Sequence, residues 1–344
     1  MRAAVLHGAK DLRVEEVPDQ GLGTDEVRVR FRSGGICGSD LSYYFKGRVG
    51  DFALCEPLIL GHEAAGEVIE TGAAVDNVAP GDHVTLNPSR PCRTCDYCRH
   101  GRSNLCRNMR FFGSAALRPH VQGAFREAVI ARADQCHKIP ESLSWAEAAC
   151  AEPLSVALHG VARAGDLFGK TVIVAGAGPI GSLLALVAKK AGAHVTITDV
   201  VDHPLQTALT LGVDETINVA TAPEKLAAYE AGKGHFDVGL EATGVVSALA
   251  GLFRVVRPGG RIVQLGAMPP GDIPLPANLL MAREIDYVGA FRFHEEFAHA
   301  VRLLSTRSID ITPILSAEVP MDRADEAFRL AADRTRALKV TLVF

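Results

Sequence analysis

Thr171-Val172-Ile173-Val174-Ala175-Gly176-Ala177-Gly178-Pro179-Ile180-Gly181 is the stretch on which the reading of this chain turns. Its first five residues are uncharged and rich in β-branched side chains, as expected of a buried strand. Three glycines follow at a fixed spacing. Gly176 permits a tight turn, Gly178 lets the backbone approach a pyrophosphate, and Gly181 lets the next helix pack closely on the strand. Pro179 and Ile180 open that helix, predicted over 180–191, whose free N–H groups and positive dipole end face the phosphates. The next strand, 194–199, ends on Asp199, 18 positions after Gly181. A carboxylate there accepts hydrogen bonds from ribose hydroxyls and repels a 2′-phosphate, so NAD is favoured, with NADP as the alternative. A glycine turn serving packing alone is the plainer reading, but it has no need of Asp199.

Downstream the rhythm continues, with a helix over 204–211 and strands over 238–241 and 261–265. The last strand follows the turn Arg257-Pro258-Gly259-Gly260. Thr243 and Gly266, just past those two strands, join the expected cofactor contacts. Strands alternating with helices predict an α/β fold with a doubly wound parallel sheet. Upstream, to about residue 150, short β-type runs at 27–31, 66–69 and 83–86 are separated by Gly and Pro turns, which predicts a compact β-rich domain. An amphipathic helix (324–332) and a strand (339–344) close the sequence. At 344 residues, two domains are expected.

Lys+Arg 36 against Asp+Glu 40 gives a net charge of −4, which offers no electrostatic footprint for nucleic acid or an acidic membrane. Uncharged residues 171–188 are interrupted by Gly176, Gly178, Pro179 and Gly181 and do not read as a membrane span. No signal peptide is visible, and a cytoplasmic location is expected.

Four of the eight cysteines form Cys92-x2-Cys95-x2-Cys98-x7-Cys106. In a reducing compartment this spacing belongs to a metal, and four thiolates around tetrahedral zinc make a closed, structural site. Arg90, Arg93, Arg99 and Arg102 flank the cluster and offset part of its negative charge. A zinc-ribbon nucleic-acid module is the competing reading, opposed by the overall acidity. Cys37, His62, Glu63 and Glu152 form a candidate open metal site, although each is an ordinary residue alone.

Read together, these segments resemble one family. Gly61-His62-Glu63-x2-Gly66-x5-Gly72-x2-Val75, Gly81-Asp82-His83-Val84, the four-cysteine lobe, Glu152-Pro153 and the Rossmann glycines follow the order of zinc-dependent medium-chain alcohol and polyol dehydrogenases. The resemblance spans essentially the whole chain. It implies a GroES-like β-rich catalytic domain (1–152 and 289–344), a Rossmann NAD-binding domain (153–288), two zinc ions per subunit, and a homo-oligomer, dimer or tetramer. It also implies Cys37 and His62 as catalytic zinc ligands. The third is a carboxylate, Glu63 or Glu152, which the sequence does not separate.

Within the family, Cys37-Gly38-Ser39-Asp40-x2-Tyr43 and residues 47–52 resemble sorbitol and xylitol dehydrogenases. Residues 108–115 and 289–293 resemble the L-idonate 5-dehydrogenase branch, which interconverts L-idonate and 5-keto-D-gluconate. Ser42 stands where many polyol dehydrogenases carry a His, which speaks against a His-based proton relay at that point; Ser39, two residues past Cys37, is the candidate proton relay. Tyr43 is a candidate pocket residue. Arg110 and Arg292 are candidates for meeting a sugar-acid carboxylate, for which guanidinium offers a two-pronged fork. The activity implied is oxidation of a secondary hydroxyl on a sugar acid. A sorbitol- or xylitol-type polyol 2-dehydrogenase and a threonine 3-dehydrogenase are the alternatives. A zinc-free quinone reductase would lack Cys37, His62 and the cysteine lobe, and a non-catalytic zinc protein would not need Gly176–Gly181 with Asp199.

Overall fold

The computed structural model describes all 344 residues, which divide into two compact units. The first unit comprises Met1–Glu152, His294–Asp333 and Lys339–Phe344; the second comprises Pro153–Phe293 and Arg334–Leu338. Residues 289–293 and 334–338 thus pack with the second unit, whereas the sequence reading had placed them with the first. No helix is long and apolar enough to cross a membrane.

The second unit is built on a six-stranded parallel sheet. By first residue, the strand order is Glu215, His194, Thr171, Phe236, Val256, Asp286. The chain thus starts in the middle, runs to one edge, then returns and builds the other half. That reversal creates a crevice beyond the strand ends, where nucleotides bind in such sheets. Phe236, Leu252, Phe253, Val256 and Ile262 form much of a core on the sheet. The helix after the first of these strands runs Pro179–Lys190, one residue earlier than the periodicity suggests, because Pro at the first helical position is pre-organised for it. The segment read as a turn at 257–260 lies within the strand Val256–Gln264. Its pairing skips from Val256 to Arg261, so the loop is absorbed as a bulge.

The first unit centres on the long strand Glu26–Gly35. It pairs antiparallel with Glu63–Thr71, Ala128–Arg132 and Lys339–Val343. The register sets Gly35 opposite both Glu63 and Thr341. Residues from the first fifth and the far end of the sequence therefore meet at one end of this strand. Phe31, Phe125 and Phe328 fill the interior beside it, with edge-to-face ring pairs at 6.3 Å.

Candidate active site

Helix Gly38–Lys46 follows immediately on Cys37. Asp40, in its first turn and fully buried, accepts hydrogen bonds from the backbone N–H of Cys37 (3.0 Å) and of Gly61 (3.2 Å). One carboxylate thereby fixes the approach of both segments that carry the metal candidates. Asp40 Oδ1 also stands 3.6 Å from His62 Nδ1. The other ring nitrogen, Nε2, faces Ser39 Oγ at 3.5 Å. A carboxylate beside one imidazole nitrogen is how proteins orient the other towards a metal. Gly61 adopts φ +92°, and a Cβ there would lie 2.4 Å from the Phe125 ring, so this turn into His62 requires glycine.

The ligand atoms of Cys37, His62 and Glu63 lie within 4.8 Å of one another. Glu63 reaches this cluster because Gly35 has no side chain: a Cβ on Gly35 would sit 1.9 Å from Glu63 Oε2. Both Glu63 oxygens accept from Lys339 Nζ at 2.8 Å, and the same ammonium donates to Ile36 O at 3.2 Å. Lys339 is only 2% exposed. Burial alone would lower its pKa, but the Glu63 carboxylate and neighbouring thiols hold it above the ordinary value. Glu152 is buried as well, and burial, against the attraction of His62, pushes its carboxyl up to about 7. It is not part of the three-residue cluster. A thiol, an imidazole and a carboxylate converging in this way suit zinc, with a fourth position left open.

The four cysteines of the lobe also converge, and all are free thiols. Sulfurs about 2.3 Å from a tetrahedral zinc stand about 3.8 Å from one another. Cys95 Sγ is 3.6 Å from Cys98 Sγ and 4.0 Å from Cys106 Sγ. Backbone N–H groups of Cys92 and Asn108 donate to Cys106 Sγ at 3.2 and 3.4 Å, as amides do to a charged thiolate. Hydrogen bonds from Thr94 draw Cys92 down to about 5, while burial and neighbouring thiols push Cys98 up to about 12. A dication relieves that conflict. Two of the flanking arginines, however, have carboxylate partners: Arg93 binds Asp134 and Arg90 lies 3.9 Å from Glu26.

In the second unit the glycine turn has the form a pyrophosphate needs. Gly176 takes φ +97°, and a Cβ on Gly181 would lie 1.8 Å from Gly176 O. A Cβ on Gly178 would meet nothing within 4 Å, so the space beside it is open at the start of the helix. Asp199, 5% exposed, accepts from the backbone N–H of Ala177 (2.8 Å), Val200 (2.7 Å) and Val201 (3.0 Å). Arg334 pairs with the same carboxylate, a partner absent from the sequence reading. A cavity of about 480 Å³ lies here, lined by Gly176, Asp199, Leu226, Thr243, Leu252 and Arg334 among others. Gly266 donates its N–H to Glu241 O at 3.0 Å, and a Cβ there would lie 2.3 Å from Gly244 N.

The substrate candidates scatter. Tyr43 is buried, with its hydroxyl accepting from Ala115 N–H at 3.0 Å. Phe111 brings its ring 5.5 Å from that of His62. Arg110, next to it on a short strand and so on the opposite face, lines a separate cavity with Arg90, Arg126 and Arg132. Arg292 belongs to the second unit, and its guanidinium lies over the Phe291 ring at 4.9 Å.

Comparison with known proteins accords with this geometry. Residues 23–141 match the alcohol dehydrogenase GroES-like domain, and residues 179–306 match the zinc-binding dehydrogenase family. The chain is 40% identical to L-idonate 5-dehydrogenase (NAD(P)(+)) of Escherichia coli K12, over 100% of its own length and 98% of that protein. It is 38% identical to sorbitol dehydrogenase of Gallus gallus, over 99% and 95% of the two chains. The crystal structure of L-idonate 5-dehydrogenase from Escherichia coli K-12 superposes with a TM-score of 0.94 at 38% identity, covering 100% and 98%. The chain belongs to the zinc-dependent medium-chain dehydrogenases, enzymes that use NAD(P).

Proposed function

We propose that this dehydrogenase oxidises a secondary hydroxyl of a sugar acid, L-idonate to 5-keto-D-gluconate, rather than a neutral polyol. The supporting observation is the full-length 40% identity to an L-idonate 5-dehydrogenase, against 38% and 34% for two sorbitol dehydrogenases. Two zinc ions per subunit fit the two donor sets, a closed one at Cys92, Cys95, Cys98 and Cys106 and an open one at Cys37, His62 and Glu63. Glu63 is the proposed third ligand, and Glu152, outside that set, is the proposed outer carboxylate. Cytoplasmic residence and assembly into a dimer or tetramer belong to the same reading, the former supported by the need of both donor sets for reduced thiols.

When bound, zinc supplies the Lewis acidity that eases loss of the substrate's hydroxyl proton, and NAD(P) accepts the hydride. The chain's residues do the rest. Cys37 and Glu63 contribute negative charge, Asp40 holds the His62 ring, and Lys339 fixes the Glu63 carboxylate. Ser39 is half-exposed beside His62 Nε2 and passes the proton towards water. NAD is the preferred cofactor because a carboxylate at Asp199 would accept from ribose hydroxyls and repel a 2′-phosphate, a repulsion that the pairing with Arg334 moderates. Arg292 is the proposed partner of the substrate carboxylate.

Steady-state assays with L-idonate, sorbitol, xylitol and threonine and either cofactor test the reading. L-idonate should give the highest kcat/KM. A higher value for sorbitol or xylitol would replace it with a polyol dehydrogenase. Arg292→Ala should raise KM for L-idonate by an amount equivalent to about 2–5 kcal/mol and leave sorbitol nearly unchanged.

A further inference from the structure

The first unit holds a cavity of about 250 Å³ that the reaction does not use. Glu26, Arg90, Arg110, His120, Arg126 and Arg132 are among its lining residues, and none of the candidate metal ligands is. Its charge is lopsided, with four guanidinium groups against one carboxylate. His120 is tied to the cavity wall, its Nε2 accepting from Cys55 N–H (3.1 Å) and its Nδ1 lying 2.8 Å from Leu117 O. Two of the four cations are already engaged. Arg132 lies 3.2 Å from Asp134 and 3.6 Å from Asp25, and Arg90 lies 3.9 Å from Glu26.

Arg126 is different. It is 5% exposed, and its Nε is buried without an acceptor. The carboxylate that acts on it through space, Asp19, is itself held by Arg28 at 2.5 Å. Burial draws Arg126 down to about 10, which still leaves it a cation at neutral pH. An unpaired buried charge is among the costliest features a fold can carry, and such groups are normally paired. Arg110, on the same cavity and more exposed, also has no carboxylate partner.

We propose that this cavity is a binding site for a small, multiply charged oxyanion of the phosphate class, recognised by Arg126 and Arg110. Two unpaired guanidinium groups call for two negative charges, which a phosphate or phosphate monoester carries and a monocarboxylate does not. Guanidinium offers phosphate oxygens paired N–H donors. The cavity falls below the size range of drug-sized ligand pockets, so it suits free phosphate or a phosphoryl group on a few carbons rather than a nucleotide.

The test is calorimetric titration of the full-length, zinc-loaded enzyme saturated with NAD, so that the dinucleotide's own phosphate cradle is filled. Inorganic phosphate, glycerol phosphate and acetate are compared at constant ionic strength set with chloride. Wild type should bind both phosphate ligands saturably and acetate undetectably. Tighter binding of the ester identifies a phosphorylated metabolite as the source, and tighter binding of inorganic phosphate identifies the free ion. Arg110→Gln, at an exposed position, should weaken binding at least tenfold, and Arg126→Gln should abolish it. If Arg126→Gln does not fold, Arg110→Gln decides. Absence of saturable binding, or equal binding in wild type and Arg110→Gln, overturns the proposal. So does a wild type that ignores phosphate but whose oligomer dissociates on Arg110→Gln, since the cations would then serve a second copy's carboxylates.

Discussion

Replacing Lys339 by Met keeps the side chain's length and apolar stem but removes the cation that grips both oxygens of Glu63. Glu63 is 0% exposed, so its carboxylate cannot recover the loss from water. Truncating one partner of a buried ion pair costs about 3–5 kcal/mol. The lost bond to Ile36 O is part of that figure. The chain's single tryptophan, Trp145, belongs to the first unit, its ring 4.2 Å from that of His83, so its fluorescence reports this unit's unfolding. With a urea slope of about 2.5 kcal/mol/M, the Lys339→Met midpoint should fall by about 1–2 M in chelator-treated protein. The fall should be smaller with zinc bound, because a dication at the cluster also neutralises Glu63. The double variant Glu63→Gln/Lys339→Met should regain more than half of the loss, since two neutral groups leave no buried charge. A midpoint shift below about 0.4 M, or a double variant no better than the single, would refute this account of the pair.

Further outcomes follow from the same geometry. Metal analysis should return two zinc ions per subunit. Cys37→Ser should retain one and lose activity, whereas Cys95→Ser should compromise folding, because closed zinc sites contribute folding free energy directly. Gly181→Ala places a Cβ 1.8 Å from Gly176 O and should lower stability by about 1–3 kcal/mol in a thermal melt. Gly178→Ala, with nothing within 4 Å, should fold normally yet raise the Kd for NAD by about tenfold or more, read by nucleotide titration. Asp199→Ala should narrow the NAD-over-NADP ratio of kcat/KM by about 1–3 kcal/mol, roughly 5- to 150-fold. A wild type that clearly prefers NADP would contradict the ribose assignment.

What the sequence disclosed was what neighbouring residues determine. The glycine turn at 176–181 and the cysteine run at 92–106 are local patterns, and the structure brings each set together. The amphipathic period placed the helix Ala324–Ala332 at its observed bounds. Lys339 carried no signal, because a lysine opening an apolar strand looks like an ordinary solvated end. Its partner lies 276 residues away and is fixed only by sheet register. Asp40 was more accessible to reasoning. An acidic residue three positions after Cys37 is a recognisable helix-start arrangement, and its bond to Cys37 N–H has that form. Arg110 was read as a candidate substrate contact from its place in the stretch 108–115, and a resemblance of sequence does not say which way a side chain faces. Once residues 110 and 111 are extended, alternation sends Phe111 towards His62 and Arg110 to the other side. Arg334 meets Asp199 across 135 residues, beyond any local pattern.

The pairing of Glu26–Gly35 with Lys339–Val343 also has a consequence for biosynthesis. Cys37, His62 and Glu63 emerge from the ribosome early, yet the strand that completes their sheet is made some 300 residues later. Until then the long strand presents unpaired N–H and C=O groups near Gly35, and Glu63 has no ammonium to face. Domains fold N-terminal first during synthesis, and unpaired strand edges are what make nascent intermediates prone to aggregate. The contiguous stretch Pro153–Phe293 can form its parallel sheet during that interval. Closure of the candidate metal site at Cys37, His62 and Glu63 therefore waits on a strand made long after its ligands, and zinc captured earlier would be held by an unfinished cage.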